Sequence, residues 1–118
     1  MKNKKQKILE SWDDGTPKFK RVFINENSYV DYSYYPSGNL KTEQTIVKNK
    51  REGDYIRYWK NGKKSDHTYF KNGKEDGPTI LYNEDGKVWL KGQYSNGNKT
   101  GEWIFHDMDG SVTHKENF

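Results

Sequence analysis

The sequence contains no cysteine. Disulfides, thiolate nucleophiles and cysteine-ligated zinc are excluded together. Long hydrophobic runs are missing too, and no stretch approaches the length of a membrane span. The N-terminal MKNKKQKILESWDDG lacks a secretory apolar region, since Ile8 and Leu9 are far too short a run. A soluble, cytoplasmic protein is expected. No window carries a convincing helical period. The first 11 residues are expected to form a basic tail, frayed or turned into a short helix.

The body of the chain also lacks an excess of charge of one sign. The formal net charge is +4, but Lys2, Lys4, Lys5 and Lys7 fall in the first eight residues without an acid among them. The remainder balances 17 basic against 17 acidic residues. A basic tail can touch phosphates or lipid head groups, yet four lysines at a terminus are more often a solvated end.

What is present is aromatic. Only 30% of the 118 residues are hydrophobic, but Trp, Tyr and Phe make up 15%. Disordered chains are poor in aromatics, so a single folded domain with a thin, aromatic core is expected. Its organisation is repetitive. Gly38, Gly62, Gly86 and Gly110 are 24 residues apart, as are Gly53, Gly77 and Gly101. Ile56, Ile80 and Ile104 keep the same step, as do Tyr58, Tyr82 and, in the third slot, His106. Ile46, Phe70, Tyr94 and Phe118 form a further apolar column. A first, worn unit spans 12–33 with one residue lost. Units 34–57, 58–81 and 82–105 follow, and 106–118 is a partial one. Residues 12–118 thus read as one repeat domain.

Within each unit, segments rich in aromatic and β-branched residues are bounded by Asn-Gly or Asp-Gly. That is the pattern of strands joined by tight hairpins. Asn72 and Gly73 are expected to supply positive φ in one such turn, and Gly77 to open the next strand. The fold class is all-β: an antiparallel meander of 24-residue hairpin repeats in one twisted open sheet of eight or nine strands. Ile56, Tyr58, Ile80, Tyr82, Ile104 and His106 form a face that is uniform between units and is expected to be the core. The opposite face varies and is free for recognition. Tyr55, Arg57, Trp59, Trp103 and Phe105 lie on it, and they are the candidate partner-binding residues, because Tyr, Trp and Arg dominate binding hot spots.

The copies YWKNGKKSDHTYFKNGKEDG at 58–77 and YNEDGKVWLKGQYSNGNKTG at 82–101 resemble the bacterial variant of the MORN repeat. A copy at 34–53 has Lys50 after Asn49, where glycine is expected. The resemblance implies an elongated meander in which each unit contacts mainly its neighbours. It also implies the company of YwqK-like antitoxins, presumed immunity partners of toxins, and, for eukaryotic MORN proteins, lipid binding and scaffolding. The neutral body makes the lipid role less attractive.

No constellation for catalysis stands out, and no enzyme, cofactor or metal is expected. GQYSNGNKT at 92–100 nearly spells a phosphate-binding loop, but Asn98 stands where that motif needs lysine. His106 and His114 are placed to face each other across the last hairpin near Asp107, Asp109 and Glu116, which would make at best a weak metal site. Glu52, Asp76, Asp85 and Asp109 read as turn residues. The expected function is a non-catalytic protein-binding module that sterically blocks a partner protein such as a toxin or another enzyme, as an antitoxin, immunity protein or inhibitor does. A nucleic-acid or anionic-lipid binder led by the lysine tail and an aromatic face is the alternative, followed by a scaffold subunit. The open edge after Phe118 allows a homodimer by strand pairing.

Overall fold

The computed structural model describes residues 5–118, so Lys2 and Lys4 of the basic tail lie outside the described residues. The chain forms ten strands: β1 Gln6–Ser11, β2 Pro17–Asn25, β3 Ser28–Tyr34, β4 Leu40–Val47, β5 Lys50–Tyr58, β6 Lys64–Lys71, β7 Lys74–Tyr82, β8 Val88–Ser95, β9 Asn98–His106 and β10 Val112–Asn117. They pair antiparallel in sequence order within a single open sheet. The all-β meander expected from the repeat is what forms, with more strands than expected. The additional strand is β1, built from the residues expected to fray or turn helical. Its Lys7 lies opposite Arg21 on β2, so the sheet begins before residue 12.

Two kinds of turn alternate from β3 onward. One is a two-residue hairpin with both central residues at positive φ, which matches the right-handed twist of the strands. Asn72 and Gly73 (φ 52° and 85°) provide one, as expected. The worn copy uses Lys48 and Asn49 (φ 49° and 66°). The slot that glycine fills elsewhere therefore belongs to Asn49 rather than Lys50. The second kind is a tighter-wound loop closed by a glycine. In the loop after β5, Gly62 N donates to Trp59 O and Trp59 N to Lys63 O.

The register departs from expectation at Gly77. Thr68 lies opposite Thr79, and Phe70 opposite Glu75. Three residues of β7 therefore face only Tyr69, forming a bulge around Gly77. Its φ is +130°, and a Cβ there would come 3.3 Å from Tyr69 Cβ. Gly77 does not open the strand; it lies inside β7, which starts at the preceding hairpin. Pro78 lies in the same bulge, where a missing ladder donor is tolerated.

Directly opposite residues share a face of a sheet. Arg21, Asp31, Gln44, Tyr55, Thr68 and Thr79 form one row across β2–β7. Phe19, Ser33, Thr42, Arg57, Asp66, Leu81, Leu90, Phe105 and His114 form the next row on that face. The two most buried apolar residues, Phe70 and Trp103, lie on this face too, together with Ser33, Gln44 and Thr79. The isoleucine face, expected to be the core, is only half-buried at Ile56, Ile80 and Ile104. The reason is architectural. A single sheet has no second layer, so burial comes from side chains leaning on neighbours of their own face. Large rings beside Gly and Thr do this better than isoleucines in a row. Uniformity here records the geometry of strand stacking rather than depth.

Candidate partner-binding groove

Trp12, Tyr35 and Trp59 each follow a strand, β1, β3 and β5, at the same phase of the repeat. The side chains of Tyr35 and Trp59 meet the next unit. Tyr35 Oη donates to Tyr58 O at 2.7 Å, and Trp59 Nε1 donates to Tyr82 O at 3.2 Å. Trp12 Nε1 is buried with no partner among the described residues. These three rings, with Tyr55, Arg57 and Asp66, line a groove of about 480 Å³ that crosses the strands from β2 to β6.

The groove carries charge as well as rings. Arg57 holds Asp66 through Nη2 at 2.8 Å. That hydrogen bond keeps the guanidinium pKa above its ordinary value. Lys18 Nζ lies 4.7 Å from the Trp12 ring centroid and 2.7 Å from Glu10. Lys41 Nζ lies 5.7 Å from the Tyr35 ring. Each lysine covers an aromatic face, a cation–π arrangement.

Of the five residues singled out in the sequence, Tyr55, Arg57 and Trp59 come together in this groove. Trp103 and Phe105 do not. Trp103 is 3% exposed, with Tyr94 edge-on at 5.2 Å, Phe118 at 6.0 Å and Lys99 over its ring. It is a core residue, closed off from a partner. Phe105 is half-buried and lies 5.4 Å from the His114 ring. The groove residues missed in the sequence are Trp12, Tyr35, Lys18 and Lys41. The signal for them was the step of 23 or 24 that carries Trp12 to Tyr35 to Trp59, a column that reads as variable because it continues into Asn83 and Asp107.

The other candidates find structural roles. His106 lies opposite Val112, whereas His114 lies opposite Phe105. The two histidines do not face each other: His106 Nδ1 contacts Gly110 O and His114 Nε2 contacts Glu116. Among the described residues no group of three His, Asp or Glu side chains is placed to hold a metal. Residues 92–100 form the end of β8, a hairpin and the start of β9, without the helix a phosphate loop needs. Asp85 is a turn acid and accepts from Lys87 N. Glu52 and Asp76, expected in turns, lie within β5 and β7, and Asp76 accepts from Asn96 N of the next unit at 2.9 Å. Asp14 accepts from both the hydroxyl and the amide of Thr16, which holds its carboxyl below the usual range.

No curated protein matches the chain. A family model described as MORN repeat variant matches residues 32–48 and 75–96, and the ends of the two segments lie two periods apart. Repeats of this kind are generally modules that bind proteins or membranes. Both matched segments fall on in-phase hairpins, so over these residues the chain is similar to the MORN repeat variant.

Proposed function

We propose that the chain is a non-enzymatic protein-binding module, acting in the cytoplasm, that docks through the Trp12–Tyr35–Trp59 groove and sterically blocks its partner, as an antitoxin, immunity protein or similar inhibitor does. The observation that carries this reading is the groove itself: three aromatic rungs and Arg57 on one open surface. Buried Trp, Tyr and Arg anchors dominate hot spots at protein interfaces. The even mixture of charges outside the N-terminus favours a protein over a membrane surface.

The test is capture followed by inhibition. A protein retained on the immobilised chain should lose activity when the soluble chain is added. Trp59→Ala should weaken that complex by about 30-fold, the effect of losing one hot-spot anchor of about 2 kcal/mol. Retention of the same partner with equal affinity by the Trp59 variant sinks the groove as the docking surface. Retention without loss of the partner's activity sinks steric inhibition.

A further inference from the structure

The groove has a repeat of its own. Its rungs Trp12, Tyr35 and Trp59 follow alternate strands. Neighbouring strands are about 4.8 Å apart, so successive rungs are roughly 9–10 Å apart. A polyproline II segment advances about 3.1 Å per residue with three residues per turn, and so presents the same edge about every 9.3 Å. An α-helix laid across the strands repeats about every 5.4 Å and misses this spacing. Aromatic-lined grooves are an established way to hold polyproline II peptides.

The charge of the lining also fits such a segment. The groove presents Lys18, Lys41 and Arg57; Lys18 is paired with Glu10 and Arg57 with Asp66, which leaves Lys41 without an acid among the described residues. Lys41 suits an acidic residue in the occupant. Nucleic acid fits less well, because the charges outside the first eight residues balance and phosphate binding needs a basic excess.

We propose that the groove binds a proline-rich, acidic segment of the partner protein in the polyproline II conformation, with prolines three residues apart seated between successive rungs. This deepens the protein-binding reading and rests on it.

The probe is a synthetic peptide of repeated Pro-Pro-Glu triplets, about 12 residues long and so about 37 Å when extended. Its affinity for the full chain is measured by fluorescence anisotropy beside Pro-Pro-Lys and Ala-Ala-Glu peptides of equal length. The Pro-Pro-Glu peptide should bind best. Trp59→Ala should weaken it about 10-fold, with thermal unfolding confirming that the variant folds. Lys41→Glu changes an exposed side chain and should weaken Pro-Pro-Glu about 5-fold while strengthening Pro-Pro-Lys. The proposal is overturned if Pro-Pro-Glu fails to bind at about 1 mM, the weak end of specific recognition. It is also overturned if Ala-Ala-Glu binds equally, which would mean charge alone, or if Lys41→Glu changes nothing. A captured partner protein lost on Trp59→Ala, alongside a peptide that does not bind, refutes the polyproline segment and leaves groove-mediated protein binding standing.

Discussion

Gly92 and Trp103 show how one residue decides the depth of another. A Cβ on Gly92 would lie 2.1 Å from the indole of Trp103, so the ring lies flat against bare backbone. Trp103 looks like a binding anchor in the sequence because it is a tryptophan on a variable face. The contrary signal was Gly92, which stands outside every glycine column of the repeat. A glycine within a strand often marks a close approach. Reading it needs the cross-strand register, which the repeat period alone does not supply. Gly92→Ala must push the buried ring aside and should cost about 1–3 kcal/mol. Urea unfolding followed by tryptophan fluorescence measures this as a lower midpoint at unchanged slope. An unshifted midpoint would show that the indole moves freely.

At the scale of the element, the hairpins were the most legible part of the molecule. Asn-Gly between alternating strands has one favoured backbone solution, and Asn72–Gly73 adopts it. The bulge at Gly77 was not legible, because a strand that continues through a glycine and a strand that starts at it have the same composition. The worn hairpin tests the turn argument. Lys48 and Asn49 hold the left-handed conformation without glycine, which costs on the order of 1 kcal/mol or more for an ordinary side chain. The double change Lys48→Asn with Asn49→Gly restores the sequence of the other copies. It should raise stability by about 1 kcal/mol, read as a higher urea midpoint. A fall instead would mean that the lysine makes a contact worth more than the relief of strain.

The whole molecule is a ribbon rather than a ball. Its radius of gyration is 16.5 Å, against about 13–14 Å for a compact chain of this length. Its principal extents are 45 × 31 × 25 Å. Each strand contacts chiefly the strands beside it, so stability is expected to add up from units and their interfaces rather than from one core. The edge strands β1 and β10 are exposed along their whole length, while Phe70 and Thr79 are buried on β6 and β7. Opening should therefore begin at the edges and move inward. Hydrogen exchange should show the strongest amide protection in β5–β7, less in β3 and β8, and the least in β1 and β10. The groove lies between one edge and this protected centre, with Trp12 at the edge and Trp59 at the centre. An occupant laid across its rungs would tie β1 to β5 and raise protection in β1–β4 with little change in β9 and β10. Equal protection in all ten strands of the free chain would mean one cooperative unit and would refute the additive picture. A rise on binding confined to β9 and β10 would place the occupant at the opposite end of the sheet.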